Sequence, residues 1–121
     1  MMRVAPLAVL GSLACAGLIG TQQSAAQQQP VVETGRAVYE YWCATCHAAG
    51  PGMPGTQALE VKYNGNLPAV LTQRQDLTAE FVAVIVRTGI SVMPPFRKTE
   101  ITDAELAALG EYIETEARAA Q

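Results

Sequence analysis

The chain has 121 residues, the length of one domain. Hydrophobic residues make up 50% of it and charged residues 16%, which excludes a disordered chain and a coiled coil. Eight Lys and Arg against eleven Asp and Glu give a net charge of −3, and this acidic balance argues against a nucleic-acid partner. Three cysteines are too few for a scaffold held by disulfides, and one histidine, His47, is too few for catalytic or zinc sites that need two imidazoles.

The N-terminal stretch has the pattern of a targeting segment. Arg3 is the only charge in the first 32 residues, the stretch 4–19 is almost wholly apolar, and Ser24 and Ala26 supply the small residues of a cleavage site. This pattern predicts a secretory signal peptide at 1–26 and a periplasmic mature protein. An uncleaved anchor is the alternative, but 16 apolar residues are fewer than the roughly 20 that a membrane span needs, so we expect no span after cleavage.

Cleavage after Ala26 would leave 95 residues with a net charge of −4. A domain this small buries a thin core and often needs a metal or a large cofactor as a staple. Residues 27–32 are polar and broken by a proline, so we expect a flexible lead-in there. Residues 33–121 are expected to form the folded domain.

The first half of this domain predicts one helix followed by a long loop. Residues 33–46 have apolar side chains at helical spacing and no proline, with Thr34 as the expected N-cap. Glycines and prolines crowd 48–66, which favours a loop. A short helical turn is expected over 67–73.

The second half predicts two further helices, each with a capping signal. Thr78 precedes an apolar helix over 79–88, and Gly89 is placed to end it in a left-handed conformation. Thr102 and Glu105 have the spacing of a capping box. The apolar face of the last helix consists of Leu106, Leu109, Tyr112 and Ile113. Three main helices and no strand predict an all-α fold.

One motif carries chemistry. Cys43-Ala-Thr-Cys46-His47 has the C-x-x-C-H spacing of a c-type haem attachment sequence. Residues three apart share a helix face, so both thiols can reach the two vinyl groups along one side of a haem. His47 then presents its imidazole to the iron. The motif predicts one covalently bound haem c, and the signal peptide supports it because bacterial haem attachment of this kind is extracytoplasmic.

Three other chemistries use closely spaced cysteines. A thioredoxin-like redox pair is expected after a strand in a βαβ unit, and no strand is predicted before Cys43. A zinc site needs a fourth ligand, and residues 27–121 contain no further Cys or His. A disulfide between Cys43 and Cys46 would close a very small loop. All three are weaker alternatives to a haem.

The domain resembles the class I cytochromes c along its whole length. The resemblance rests on Gly35, Tyr39, the C-x-x-C-H motif, Met93-Pro94, Leu109 and Tyr112. It implies a class I cytochrome c fold, in which about three main helices wrap around one covalently bound haem. It also implies that the glycine lets the first and last helices cross closely, beside an aromatic side chain of the last helix.

The sixth iron ligand is expected to be a methionine, since His47 is the only histidine. Met53 lies six residues after His47, and six extended residues span at most about 20 Å, barely enough to wrap around the haem edge. Met93 lies 46 residues on, in a loop stiffened by Pro94 and Pro95, at the place of the ligand methionine in the family. We therefore expect His47 and Met93 to be the metal ligands.

Two further residues are candidates for the cofactor site. In class I cytochromes a proline carbonyl in the loop after the motif orients the ligand imidazole, and the resemblance points to Pro54, with Pro51 as a competitor. Arg74 is a candidate partner for a haem propionate, because a guanidinium matches a carboxylate with two hydrogen bonds. A solvated surface arginine is the alternative.

A haem with both axial positions closed is left with one-electron exchange, and a thioether ligand favours the ferrous iron. The sequence therefore predicts an electron carrier and not an enzyme. The stretches 77–89, 93–96 and 111–113 also resemble the small cytochrome subunit of p-cresol methylhydroxylase-type flavocytochromes. That resemblance implies a flavin-dependent dehydrogenase as electron donor, with a second protein as terminal acceptor in the respiratory chain. The alternative is a small-ligand sensor or peroxidase-like protein in which the methionine is displaced.

The ligand loop is also the expected docking surface for the redox partner. Val92, Pro95 and Phe96 are predicted to form an apolar patch beside the haem edge. Arg97 and Lys98 follow it and would either meet an acidic partner or solvate the loop.

Overall fold

The computed structural model describes residues 22–121, so residues 1–21 of the predicted signal peptide lie outside the described residues. Its elements are α1 (Gln22–Val38), a π-helical turn (Tyr39–Cys43), α2 (Ala44–His47), α3 (Pro54–Tyr63), a 3₁₀ turn (Leu71–Gln73), α4 (Ala79–Thr88) and α5 (Asp103–Ala119). This part of the chain has no β-strand, only an isolated bridge between Ile90 and Met93. The all-α prediction is confirmed. None of the described helices is both long and apolar enough to cross a membrane.

The first helix begins earlier than the sequence predicts. Residues 27–32, the expected lead-in, lie within α1. The hydroxyl of Thr34 donates to the Pro30 carbonyl at 2.9 Å, which is the bond of a threonine inside a helix. The prediction that Thr34 caps the helix is wrong, because helical backbone continues through Pro30.

The sequence predicts one regular helix up to the C-x-x-C-H motif, but in the structure a π-helical turn interrupts it. Gly35, Tyr39, Cys43 and His47 recur every four residues, and a four-residue step overshoots one α-helical turn by about 40°. The π-helical turn takes more residues per turn, so it offsets this drift and keeps the repeat on one side. The Tyr39 hydroxyl donates to the His47 carbonyl at 3.0 Å and ties the two ends of the segment together.

A helix occupies much of the stretch predicted to be a loop. Pro54 is the first residue of α3, a position where its missing N–H costs nothing. Asn64, with φ 47°, and Gly65, with φ 82°, end the helix in left-handed conformations. The prediction of a loop over 48–66 is wrong for ten residues, because the glycines and prolines cluster at its two ends and leave the middle free to be helical.

The capping predictions for α4 and α5 are confirmed at their N-termini. The Phe81 N–H donates to the Thr78 hydroxyl at 3.2 Å, and Thr102 and Glu105 form the complete capping box. Gly89 ends α4 with φ 68° and ψ 170°, a region open almost only to glycine. The expected left-handed cap is therefore correct in φ but not in ψ, because the chain extends at once into the next loop.

Helices α1 and α5 cross at a point where no side chain separates them. A Cβ on Gly35 would overlap the carbonyl group of Ala108 and lie 2.7 Å from the Cβ of Tyr112. The rings of Tyr39 and Tyr112 pack beside the crossing with centroids 5.5 Å apart, and Leu109 is completely buried. The close crossing that the resemblance implies is confirmed.

Helix α4 packs against α5 through a second glycine. A Cβ on Gly110 would lie 2.6 Å from the Cβ of Ala79. The Ala79 N–H donates to the Glu114 carboxylate at 2.6 Å, which satisfies a donor in the first turn of α4. The two crossings together fix α1, α4 and α5 around one core.

We expect Gly35→Ala to destabilise the protein by about 1–3 kcal/mol, because the added methyl group has no room at the crossing. At an exposed helical position the same change would stabilise the protein by roughly 0.5–1 kcal/mol. A loss of stability would therefore identify the close contact between Gly35 and Ala108. Urea denaturation measures the free energy of unfolding. Ala37→Leu, on the exposed face of α1, is the control and should alter it by less than about 0.5 kcal/mol. Unchanged or higher stability of Gly35→Ala would contradict the close crossing.

Candidate functional site

An apolar cleft of about 780 Å³, its open mouth included, is bounded by the C-x-x-C-H segment, α4, α5 and the loop after α4. Small-molecule sites are mostly apolar with a few polar groups. The apolar lining consists of Leu59, Leu71, Leu77, Phe81, Val82, Ile85, Val86, Ile90, Met93, Leu109 and Ile113. The remaining lining residues are Cys43, His47, Lys62, Tyr63 and Arg74. Four of the six predicted site residues therefore line one cleft.

His47 lines this cleft with one ring nitrogen unsatisfied. Its Nδ1 is buried and has no hydrogen-bond partner among the described residues. Leaving such a group unpaired costs about 1–3 kcal/mol. Burial lowers the pKa of the imidazole, which favours its neutral form. A neutral imidazole has the lone pair that a metal ligand needs.

Helix α3 begins directly against the imidazole of His47. A Cβ on Gly55 would lie 2.6 Å from Cε1 and 2.8 Å from Nδ1 of the ring. Pro54 precedes Gly55, and neither Pro54 nor Pro51 accepts a hydrogen bond from Nδ1 in this structure. The helix thus contacts the ring through Gly55, and an acceptor role for the Pro54 carbonyl stays a prediction.

The two cysteines of the motif have different surroundings. Cys43 is buried in the cleft wall, and burial together with the nearby Cys46 raises the pKa of its thiol to about 11. Cys46 is exposed and lies outside the cleft lining. A raised pKa keeps Cys43 protonated, which makes it a poor nucleophile for thiol–disulfide exchange.

The loop after α4 brings Met93 into the cleft lining, whereas Met53 lies outside it. Met93 exchanges two backbone hydrogen bonds with Ile90, at 3.0 and 2.9 Å, and these close a tight turn in which Ser91 has φ 55°. Met53 is the residue that precedes α3. Met93 is thus placed in the wall of the cleft that His47 lines, and its ligation stays a prediction.

Arg74 is only 4% exposed although it carries a charge. Its guanidinium donates to both carboxylate oxygens of Asp76, at 2.7 Å to Oδ1, and lies 4.4 Å from the centre of the Tyr63 ring. The bond to Asp76 raises the pKa of Arg74, and Arg74 lowers the pKa of Asp76. The alternative of a solvated surface arginine is therefore wrong. A propionate contact stays a prediction, for which the donors not facing Asp76 are available.

The chemistry of the lining fits a haem. Its apolar walls suit a macrocycle, and His47 and Met93 offer the nitrogen and the sulfur of a His/Met ligand pair. Lys62 supplies positive charge for a carboxylate group, and Arg74, which is paired with Asp76, offers its remaining N–H donors. Cys43 brings a thiol to the same wall.

The family of the chain follows from a comparison with family models. A model described as cytochrome c oxidase, cbb3-type, subunit III matches residues 30–113. The chain belongs to this family. It is a class I c-type cytochrome, and its cofactor is a covalently bound haem c. No curated protein and no solved structure matches the chain significantly, and the resemblance to the p-cresol methylhydroxylase-type subunit is not confirmed.

The two cations that follow the ligand loop of this cytochrome both have acidic partners within the chain. Arg97 pairs with Glu100 at 3.1 Å, and Lys98 pairs with Asp103 at 2.6 Å. Both cation side chains nevertheless stay largely exposed, so a role for them in docking stays a prediction. Of the predicted apolar patch, Val92 and Pro95 are exposed and Phe96 is half-buried.

Three contacts around the site were not predicted from the sequence motifs. Gly55 lies against His47, and a Cβ on Gly89 would lie 2.6 Å from the Met93 carbonyl oxygen. Arg87 donates to two carbonyls of the segment that follows Met93. Glycine beside a loop proline or at a helix end signals a close backbone approach, and this signal could have revealed the first two. Nothing in the sequence marks Arg87.

We expect Gly55→Ala to lower the yield of haem-loaded protein several-fold, because the added methyl group displaces the His47 imidazole. The measurement is the haem absorbance per mole of purified chain. Gly52→Ala is the control, since Gly52 has φ 82° but no atom lies within 4 Å of its Cβ position. Gly52→Ala thus introduces backbone strain but no contact with His47. If both variants lost the same fraction of haem-loaded protein, the contact between Gly55 and His47 would not be the cause.

Proposed function

We propose that the protein is a one-electron carrier whose haem is attached through Cys43 and Cys46 and ligated by His47 and Met93. The observation that carries this proposal is the presence of His47 and Met93 in the lining of one cleft, although they lie 46 residues apart in the sequence. Cys43 lines the same cleft, and Cys46 directly precedes His47. Three of the four residues that the chemistry requires thus share one site, and the fourth adjoins it.

Bound haem c supplies one-electron exchange between ferric and ferrous states. The residues of the chain would restrict it to that chemistry, because His47 and Met93 would both ligate the iron and leave no site for oxygen or peroxide. The walls of the site are mostly apolar. A thioether ligand in such surroundings raises the reduction potential relative to a nitrogen ligand. Arg74 would hold a propionate with the donors that Asp76 leaves free.

Electrons would enter and leave through contact with other redox proteins. The resemblance to the flavocytochrome subunit supports a flavin-dependent dehydrogenase as donor. The name of the matching family refers to a subunit of an oxidase, which supports an acceptor in the respiratory chain. Ile90, 50% exposed, lines the cleft, and Val92 is 93% exposed, so the two offer an apolar contact surface beside it.

The proposal places the mature protein in the periplasm, with cleavage after Ala26, and the signal pattern of residues 1–26 supports both. Cleavage there would make Pro30 the fourth residue of the chain. Within the first turn of a helix a proline loses no intrahelical hydrogen bond, so Pro30 would then be compatible with an unbroken α1.

Covalent attachment predicts that acidified acetone leaves the haem on the protein. Mass spectrometry of the intact protein should show one haem on a chain that begins near Gln27. Cys46→Ala should lower the loaded yield because one thioether bond is lost. Cys15→Ala, within the predicted signal peptide, is the matched control and should leave loading unchanged. Haem from the parent protein in the acetone layer would be incompatible with attachment.

Met93→Ala should open the iron, because it removes the proposed sixth ligand. Carbon monoxide added to the reduced variant should bind rapidly with a clear spectral change, whereas the parent and the control Met53→Ala should not respond. Rapid binding by Met53→Ala instead would make the ligand assignment wrong. Rapid binding by the parent would favour the sensor or peroxidase-like alternative over the electron carrier.

A further inference from the structure

Arg87, in the last turn of α4, joins that helix to the chain that follows Met93. Its Nη1 donates to the Phe96 carbonyl at 3.1 Å, and its Nη2 donates to the Ile101 carbonyl at 2.8 Å. The same Nη2 lies 3.0 Å from Oδ1 of Asp103. One guanidinium thus bridges two backbone carbonyls of this segment, a task for which its planar fork of N–H donors is suited.

Phe96 is held at three points. Its N–H donates to the Val86 carbonyl at 2.8 Å, and its own carbonyl accepts from Arg87. Its ring packs edge-on against Trp42 with centroids 5.6 Å apart. Both the backbone and the side chain of Phe96 are therefore anchored to helical elements. The sequence places Phe96 in the apolar patch of the docking surface and does not predict this anchoring.

Two prolines connect this anchored residue to Met93. Proline holds φ near −65°, so Pro94 and Pro95 restrict the backbone between Phe96 and Met93. The position of Phe96 therefore limits where Met93 can lie. On its other side Met93 is held by the two backbone hydrogen bonds with Ile90. Met93 thus lies between a tight turn and an anchored residue.

We propose that Arg87 is a positioning residue for Met93, because its bonds to the Phe96 and Ile101 carbonyls keep the thioether in the cleft wall. This inference rests on the proposed function, in which Met93 ligates the iron. A thioether is a weak ligand, so the freedom of its loop determines how often it dissociates. Without the Arg87 anchor the loop gains freedom, and Met93 leaves the iron more often.

The carbonyl contacts carry this role, and the ion pair with Asp103 does not. The Arg87 side chain is 22% exposed, whereas that of Asp103 is 64% exposed and also pairs with Lys98. Exposed ion pairs contribute little, while hydrogen bonds from a charged donor to partly buried carbonyls are stronger. Replacement of Asp103 should therefore leave the anchor in place.

The test compares haem-loaded Arg87→Met and Arg87→Lys with the parent. In the ferrous protein the rate of carbon monoxide binding reports how often Met93 leaves the iron. In the ferric protein the sulfur-to-iron charge-transfer band reports the ligated fraction. We expect Arg87→Met to bind carbon monoxide about tenfold faster and to show a weaker band. The ammonium of Arg87→Lys can reach only one carbonyl, so its rate of carbon monoxide binding should lie between those of the parent and Arg87→Met.

Arg97→Met and Asp103→Asn are the matched controls. Arg97 lies in the same segment as Phe96 and pairs with Glu100, so its loss removes an arginine without touching the anchor. Asp103→Asn keeps both carbonyl contacts of Arg87. Each control should bind carbon monoxide within about twofold of the parent rate.

A parent-like rate and band in Arg87→Met would overturn the positioning role and leave Met93 ligation standing. If Arg87→Met does not load haem, Arg87→Lys decides, and a parent-like rate in that variant overturns the role. Equal acceleration in Arg97→Met would also overturn it, since any loop arginine would then suffice. A parent that binds carbon monoxide as fast as Met93→Ala would instead overturn the proposed function.

Discussion

The close crossing of α1 and α5 is the constraint on which the cofactor site depends. Because Gly35 has no side chain, the Ala108 carbonyl packs directly on the backbone of α1. This contact sets the segment with Cys43 and His47 beside the buried face of α5, from which Leu109 reaches the same cleft. The π-helical turn then keeps the motif on the inner side of its own helix. One absent methyl group therefore determines where the haem-binding wall lies.

The position of Met93, the proposed sixth ligand, depends on α4 and on the loop that follows it. Gly89 allows the chain to extend over the end of the helix, and Met93 then reaches the cleft that His47 lines. Arg87 and Phe96 attach the far side of the loop to α4. If His47 and Met93 ligate the iron as proposed, the fold holds both ligand segments, and such a site changes little in geometry when the iron changes charge, as a one-electron carrier requires.

Features that depend on local chemistry could be predicted from the sequence, whereas features that depend on distant contacts could not. The C-x-x-C-H motif predicted the cofactor, and Thr102 with Glu105 predicted the start of α5, because each pattern is complete within a few residues. Helix α3 was missed because the glycines and prolines of residues 48–66 indicate a loop. Gly55 is in fact the second residue of α3, where a glycine is compatible with the helix. The anchor formed by Arg87 was missed, because its partner carbonyls, 9 and 14 residues away, reach it only once the loop is folded.

The central claim is that Met93 ligates the iron of the haem that His47 binds. The proposed mature chain, residues 27–121, contains two methionines, Met53 and Met93, so its ferrous form labelled with carbon-13 at the methionine methyl groups should give two methyl signals. A methyl group held over the centre of a macrocycle is shifted strongly upfield by the ring current. We expect one strongly shifted signal, and we expect it to persist in Met53→Leu. Two signals at ordinary positions, or loss of the shifted signal in Met53→Leu, would contradict the claim.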